Sequence, residues 1–102
     1  MANSTRTKFD FVVIAANGIQ GRIVSRYLLE KNYTVLLAAS DDLNMEKLID
    51  FPNADFALID LRRIDRVKRI VKKSGAPIVM NCAIDDYNLV VTKMCLELGV
   101  HF

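Results

Sequence analysis

Short, almost uninterrupted apolar runs alternate along the chain with longer segments in which apolar residues recur every three or four positions. The apolar runs lie at about Phe9–Ala15, Thr34–Ala39, Phe56–Ile59 and Ile78–Cys82. A strand whose residues are nearly all apolar is typical of a parallel sheet that is covered on both faces. Val100–Phe102 has the pattern of the opening of a fifth strand.

The segments between these runs predict helices. They lie at about Gln20–Lys31, Met45–Phe51, Ile64–Lys73 and Tyr87–Leu98. The first places Ile23, Val24, Tyr27 and Leu28 on one stripe with the Lys31 stem at its margin, and the last places Val91, Met94, Cys95 and Leu98 at helical spacing. Asn32, Gly75 and Gly99 follow three of these helices, as residues that end helices often do.

Strands and helices that alternate in this way predict one α/β domain at residues 9–102. Right-handed crossovers and a glycine turn after the first strand favour a three-layer, Rossmann-like parallel sheet of order 3-2-1-4-5, with helices on both faces. A ligand crevice is then expected at the carboxyl ends of strands one and four, where the strand order reverses.

The first strand runs directly into a glycine turn and a helix, at Asn17, Gly18, Ile19, Gln20 and Gly21. Two glycines three residues apart allow a backbone to approach a pyrophosphate at the positive end of the following helix. Ala16 occupies the first glycine position of G-x-G-x-x-G, and Ala15 that of the looser G-x-x-G-x-x-G. An ordinary strand-to-helix turn is the alternative interpretation.

Three further groups of residues follow strand ends and are candidate cofactor contacts. They are Ser40 and Asp41 after strand two, Asp60 and Leu61 after strand three, and Cys82 and Ala83 after strand four. Asp41 is suited to accept hydrogen bonds from an adenosine ribose, and its charge repels a 2′-phosphate. Asp41 and Asp42 are also suited to cap the next helix, and Asp60 to face solvent in a loop.

The cofactor is expected to be NAD or NADP, with NAD favoured. No arginine or lysine stands at the end of strand two to neutralise a 2′-phosphate. Arg22, in the helix after the glycine turn, is within the region that could reach a 2′-phosphate, so NADP remains an alternative cofactor.

Composition excludes several classes of protein. With 14 basic and 12 acidic residues in 102, the formal charge of +2 does not indicate a nucleic-acid surface, and the lysines and arginines of helix three are interpreted as a solvated face. No apolar run is long enough for a membrane span, and Met1–Lys8 is expected to be a disordered leader, not a signal peptide. These features predict a cytoplasmic location.

The two cysteines, Cys82 and Cys95, lack metal-ligand spacing and are expected to be reduced thiols. The single histidine, His101, has no evident partner. We therefore assign neither a metal site nor a catalytic residue from the sequence.

Two segments resemble the saccharopine dehydrogenase-like family. They are Ile78–Ala83, in which Asn81-Cys82-Ala83 ends a strand, and Asn88–Phe102, which ends in Gly99-Val100-His101-Phe102. The resemblance extends from Phe9 to Phe102 and implies an NAD(P)-binding Rossmann domain that supports hydride transfer to an imine or amino-acid-derived substrate. It also implies that Gly18–Gly21, Ser40, Asp41, Cys82 and Ala83 match the cofactor-binding positions.

The chain departs from that family at Ala16, at Asp41, where an arginine is frequent in NADP-using relatives, and at Ile84–Tyr87, which lacks a proline-containing loop. A substrate domain like that of the family is not expected within these residues, and this chain is not expected to be active alone. An alternative resemblance, carried by Asp85–Leu89, is to the regulatory nucleotide-binding domains of potassium transport and channel proteins. A Rossmann-shaped interaction domain without a cofactor is the third hypothesis.

The expected fifth strand leaves an edge that a second half of the sheet would normally cover. Unpaired strand edges favour pairing with another chain. A homodimer across strand five or helix four is therefore predicted.

Overall fold

The computed structural model describes residues 8–102, which form an α/β fold of alternating strands and helices. The strands are β1 (Phe11–Ile14), β2 (Val35–Ala39), β3 (Ala54–Leu58) and β4 (Ile78–Asn81). The helices are α1 (Ile19–Glu30), α2 (Glu46–Ile49), α3 (Ile64–Ser74) and α4 (Asn88–Leu98), the last preceded by a 3-10 turn at Asp85–Tyr87. The predicted leader, except for Lys8, lies outside the described residues.

The sheet is parallel, and its order is β3-β2-β1-β4. β1 lies in the interior, with Val12 aligned with Leu36 of β2 and Val79 of β4. This confirms the predicted fold class and the order of the first four strands. The carboxyl ends of β1 and β4 are adjacent, with Ile14 aligned with Asn81, as the predicted crevice requires.

The predicted fifth strand does not form. A single parallel bridge joins Ile78 to His101. The Val79 N–H donates to the His101 carbonyl at 2.8 Å, and the His101 N–H donates to the Pro77 carbonyl at 2.9 Å. Gly99 ends α4 in a left-handed conformation, and the three residues after it make only this one bridge.

Apolar residues of β1 point alternately into two cores, which explains why the strand has no polar face. Val12 and Ile14 pack with Val67 of α3 and Met94 of α4. Val13 packs in the second core, whose other members include Leu28 and Leu29 of α1 and Met45 and Leu48 at α2. The sheet therefore forms the middle of three layers.

The predicted stripe of α1 is only partly confirmed: Leu28 is buried and Val24 packs against the second core, but Ile23 and Tyr27 do not. Ile23 and Tyr27 are 66% and 60% exposed, whereas Gly21, Ser25, Leu28 and Leu29 are buried. Gly21 packs against the backbone of the turn after β1, and this contact turns the helix so that residues four and seven positions later also face the sheet. The apolar pattern of α1 does not reveal this contact and therefore did not predict which side of the helix is buried.

The predicted face of α4 is confirmed, since Val91, Met94 and Cys95 are buried; in α3, Val67 and Val71 are buried on the side opposite the lysines and arginines that the sequence assigns to a solvated face. Gly75 and Gly99 end these helices in left-handed conformations, with φ of 67° and 71°. Asn32, just after α1, is also left-handed. Within residues 8–102, no helix has the length and apolar character needed to cross a bilayer.

Candidate functional site

The turn between β1 and α1 has a left-handed residue at Ala15, where φ is 63°, and not at Ala16. Ala16 is buried and its N–H donates to the Ala38 carbonyl at 3.1 Å. The Gly18 N–H donates to the Ala15 carbonyl at 3.1 Å and closes the turn. The turn thus has the spacing of G-x-x-G-x-x-G, with alanine at the position that most requires glycine.

Gly21 is required for packing. A Cβ atom there would lie 2.1 Å from the Ala15 carbonyl oxygen and 2.8 Å from the Ala16 Cα. Both neighbours are backbone atoms that belong to the turn itself, so they cannot move aside. The third glycine therefore brings α1 against the end of β1, as expected for this type of turn.

Gly18 is in a different situation. It is exposed, its backbone is extended with φ of −76°, and an added Cβ would meet the Ala15 carbonyl oxygen at an ordinary 3.5 Å. Gly18 is also the N-cap of α1, which has no side-chain cap among the described residues and no acidic residue in its first turn. The positive end of α1 is thus open to an anion.

A hydrogen bond joins the glycine turn to the end of β2. The Asn17 side-chain amide donates to Oδ1 of Asp41 at 2.9 Å, and the Leu43 N–H donates to the same oxygen at 3.0 Å. Helix α2 begins after Met45 without a capping side chain in the described part of the chain. Asp41 and Asp42 therefore do not cap it, and Asp41 is held beside the glycine turn.

A cleft of about 750 Å³ opens at the carboxyl ends of the strands. Its lining includes Ala15 and Asn17 of the turn, Ala39 and Ser40 after β2, and Ala83 after β4. The loop from β3 to α3 and the first turns of α3 form another wall. The cleft lies where the strand order reverses, which is where open α/β sheets bind ligands.

The cleft collects some of the sequence-predicted residues and leaves others beside it. Those that line it are Asn17, Ser40, Asp60, Leu61 and Ala83. Gly18, Ile19, Gln20 and Gly21 continue directly from Asn17 into α1, and Asp41 adjoins Ser40. Cys82 instead packs with the core under α1 and α2.

Arg62, Arg63 and Arg66 also line the cleft, although the sequence pattern had indicated a solvated face. Arg62 and Arg63 end the loop of residues 59–63 between β3 and α3, and Arg66 lies in the first turn of α3. Proximity to a strand end was the signal that distinguished these three arginines from the basic residues farther along α3.

Asp60 pairs with one of these arginines. The Arg62 Nε donates to Asp60 Oδ1 and Nη2 to Oδ2, both at 3.0 Å. The side-chain hydrogen bonds, with a further one from the Arg62 N–H, hold the pKa of the Asp60 carboxyl below its usual value. Asp60 is therefore a carboxylate at neutral pH and neutralises Arg62.

Burial raises the pKa of the Cys82 thiol, so Cys82 is a neutral thiol at pH 7. Cys95 has its thiol pKa raised for the same reason, and both cysteines are free. In the described range, no three His, Cys, Asp or Glu residues are grouped to hold a metal ion.

Solved structures share this fold. A dTDP-glucose 4,6-dehydratase from Bacillus anthracis, in complex with NAD, matches 88% of this chain at 20% identity and a TM-score of 0.73. Leucoanthocyanidin reductase from Vitis vinifera matches 89% at 16% identity and 0.74, and the Bordetella bronchiseptica enzyme WbmG, in complex with NAD and UDP, matches 91% at 12% identity and 0.75. The matches cover 33%, 30% and 35% of those chains, so this chain spans about a third of their length.

Comparison with curated proteins finds no significant match. Residues 11–102 match the saccharopine dehydrogenase NADP binding domain, which supports the first of the three sequence hypotheses and not the potassium-transport alternative. The match includes the glycine turn, the ends of all four strands and the cleft. The chain therefore belongs to the saccharopine dehydrogenase NADP binding domain family, and it is a Rossmann-like domain that binds NAD(P).

Proposed function

We propose that this chain is the cofactor-binding part of an NAD(P)-dependent oxidoreductase, and that a separate substrate domain completes hydride transfer. Asn17–Gly21 hold the pyrophosphate, Ser40 and Asp41 the adenosine ribose, and Asp60 and Leu61 the adenine edge. Cys82 and Ala83 border the nicotinamide half. The bound cofactor supplies the hydride chemistry, while the residues of this chain bind and orient it.

The observation that carries this proposal is the contrast between the two glycines of the turn. Gly21 is explained by packing inside the chain, because any side chain there would collide with backbone. Gly18 has no such explanation, since its conformation suits other residues and an added Cβ has room. A glycine at an exposed helix N-terminus is accounted for if a phosphate approaches its backbone closely.

The open N-terminus of α1 supports the same assignment. The first N–H groups of a helix have no intrahelical partner and carry partial positive charge. In α1, neither a described capping side chain nor an acidic first-turn residue competes for these groups. A pyrophosphate supplies the negative charge and the hydrogen-bond acceptors that these free N–H groups can bind.

Asp41 supports a preference for NAD over NADP. Its Oδ1 accepts from Asn17 and Leu43, which leaves Oδ2 to accept hydrogen bonds from ribose hydroxyls. A carboxylate at this position repels a 2′-phosphate. We therefore expect the dissociation constant of NADH to be about tenfold lower than that of NADPH. This ratio corresponds to a difference of about 1.4 kcal/mol in binding free energy.

The first experiment titrates NADH into the wild type and Gly18→Ala by calorimetry. We expect the wild type to bind and the variant to lose at least about tenfold in affinity while its unfolding is unchanged, because the methyl group occupies the phosphate position. Glu30→Ala, at the other end of α1, is the control and is expected to bind as the wild type does. Wild-type protein that binds no dinucleotide, or full binding by Gly18→Ala, would refute this assignment.

The second experiment tests Asp41. Asp41→Arg is expected to narrow or invert the NADH preference, because a guanidinium attracts the phosphate that the carboxylate repels. Asp42→Arg changes the charge equally at the neighbouring exposed position and is expected to keep the wild-type order. A wild type that prefers NADPH, or equal effects of the two substitutions, would contradict the role of Asp41.

We also propose a cytoplasmic location and no turnover by the isolated chain. Two free thiols, one of them fully buried, are consistent with a reducing compartment. Incubation of the chain with NADH and candidate imines is expected to produce no oxidation of NADH above the uncatalysed rate. Catalysed oxidation would show that the chain itself contains the substrate-binding groups.

A further inference from the structure

One arginine of the cleft has its charge offset and its orientation fixed. Arg62 Nε donates to Asp60 Oδ1 and Nη2 to Oδ2, both at 3.0 Å, and the Arg62 backbone N–H donates to the same Oδ1 at 3.0 Å. The side-chain hydrogen bond to Asp60 raises the pKa of the Arg62 guanidinium, and the charge of the carboxylate adds to this effect. Arg62 is therefore held in one orientation by a carboxylate that offsets its charge.

The ion pair occupies the edge of the guanidinium and leaves its two flat faces open. Hydrogen bonds to a carboxylate lie in the plane of the group, whereas stacking uses the faces. The Arg62 side chain is 79% exposed and lines the cleft. Arg63 and Arg66 line the cleft too, but neither forms an ion pair with a carboxylate of residues 8–102. Of these three arginines, Arg62 is thus the one whose plane is fixed by an ion pair within the described residues.

An exposed apolar side chain lies in the same cleft. Leu58, the last residue of β3, is 66% exposed and lines the cleft together with Arg62. Both belong to the segment at the carboxyl end of β3, where the adenine is proposed to lie. A purine has flat faces that cover apolar surface and stack on guanidinium groups. A base in this position accounts for both the exposed leucine and the fixed plane of Arg62.

We propose that Arg62 is a base-binding residue of the dinucleotide site, and that its guanidinium, positioned by Asp60, stacks on the face of the adenine. This inference rests on the proposed function, because it requires the adenosine half in this cleft. A side chain that is already held in place loses less entropy when the base binds. Stacking depends on orientation and not on net charge, so an arginine neutralised by Asp60 binds the base without attracting a 2′-phosphate. The inference therefore agrees with the expected preference for NADH.

The test titrates three dinucleotides by calorimetry: NADH, NADPH and reduced nicotinamide hypoxanthine dinucleotide. The last has a flat base of the same size with an oxygen in place of the adenine amino group, so only the edge of the base differs. Arg62→Gln is expected to raise the dissociation constants of all three by the same factor, about fivefold to tenfold, because all three present the same face. Circular dichroism checks that the variant is folded, as expected for a side chain that is 79% exposed.

Two further substitutions at Arg62 separate the plane from the charge. Arg62→Lys keeps the charge without the plane and is expected to bind NADH as weakly as Arg62→Gln does. Arg62→Phe keeps a flat face without the charge and is expected to bind NADH more tightly than Arg62→Lys. Arg66→Gln is the matched control, because it removes a cleft arginine that has no ion-pair partner in the described range, and it is expected to lose less affinity than Arg62→Gln.

A double-mutant cycle tests the positioning role of Asp60. Asp60→Asn weakens the hold on the guanidinium and is expected to reduce NADH affinity. Its effect is expected to be smaller in the Arg62→Gln background than in the wild type, because part of it acts through Arg62. Losses that multiply independently would overturn the positioning of Arg62 by Asp60.

The outcomes separate this role of Arg62 from the proposed function. Unchanged NADH binding by Arg62→Gln, or wild-type binding by Arg62→Lys, would overturn the stacking role and leave the dinucleotide site standing. A loss confined to NADPH would show attraction of a phosphate, and a loss absent with the hypoxanthine dinucleotide would show recognition of the base edge; either would also overturn it. An equal loss in Arg66→Gln would indicate the general charge of the cleft and have the same consequence. Failure of the wild type to bind any of the three dinucleotides would overturn both proposals.

Discussion

The Ala15 carbonyl oxygen lies where a side chain at Gly21 would begin, since a Cβ on Gly21 would be 2.1 Å from it. The same carbonyl accepts the Gly18 N–H at 3.1 Å. One peptide oxygen therefore both closes the glycine turn and sets how closely α1 packs on β1.

Substitution of Gly21 by alanine is expected to destabilise the fold strongly. The methyl group would overlap backbone atoms of Ala15 and Ala16, so α1 would have to move from the sheet, at a cost of about 3 kcal/mol or more. Urea unfolding followed by circular dichroism measures the change. Gly18→Ala is the control, with an expected change below about 0.5 kcal/mol. Equal stability of the two variants would contradict the packing role of Gly21.

Ala15→Gly is expected to stabilise the protein. A left-handed alanine costs about 1–2 kcal/mol relative to its preferred conformations, and glycine removes this cost. Glycine also increases the entropy of the unfolded chain, which opposes folding, so the expected net gain in stability is about 0.5–1 kcal/mol. Ala16→Gly is the matched control, because Ala16 is buried without a positive φ and is expected to lose stability. Thermal unfolding of both variants measures the difference. A loss of stability in Ala15→Gly would refute this account of the turn.

Ser25→Ala is also expected to stabilise the fold, by about 1 kcal/mol. The Ser25 hydroxyl is fully buried on α1 and has no hydrogen-bond partner among residues 8–102, so its removal relieves a desolvation cost. Ser74→Ala is the control and is expected to lower stability, because the buried Ser74 hydroxyl donates to the Val71 carbonyl and accepts from the Ala76 N–H. Denaturant midpoints that fall equally for both variants would disprove this distinction.

The ion pair of Asp60 with Arg62 predicts a pH dependence. Because hydrogen bonds from Arg62 place the pKa of folded Asp60 below the unfolded value, the carboxylate stabilises the fold above the unfolded pKa. That contribution is lost as the pH falls through the folded-state pKa. NMR titration of the Asp60 carboxyl is expected to show a lowered pKa that returns toward its usual value in Arg62→Gln. Arg69→Gln is the control, and an equal shift there would indicate general charge rather than the direct pair.

A homodimer remains a prediction, across the edge next to β4 or across α4. In residues 8–102, one bridge to His101 borders the outer side of β4, and Leu89 and Leu96 of α4 are 79% and 67% exposed. Light scattering is expected to give twice the 11.5 kDa mass of one chain. Leu96→Glu is expected to give the monomer mass, whereas Ile23→Glu on exposed α1 surface keeps the dimer. A wild-type monomer at high concentration would contradict the prediction.

Much of the fold follows from local pattern. β1 and β2 are predictable because alternate residues of each strand face different cores, so that every residue in these two strands is apolar. The stripes of α3 and α4 are predictable because each packs one face on the sheet and ends at a glycine with positive φ. Helix α1 has apolar residues on more than one side, so its pattern did not specify which side is buried.

By itself, the sequence determined the strand order of the first four strands, the glycine turn and the strand-end residues, because periodicity and turn chemistry are properties of neighbouring residues. Tertiary structure decided that Ala15 and not Ala16 takes the left-handed position, and that Gly21 sets the rotation of α1. It also decided that Arg63 and Arg66 face the cleft. These features depend on contacts between segments distant in the chain or on the path of the backbone in three dimensions, which residue patterns do not record.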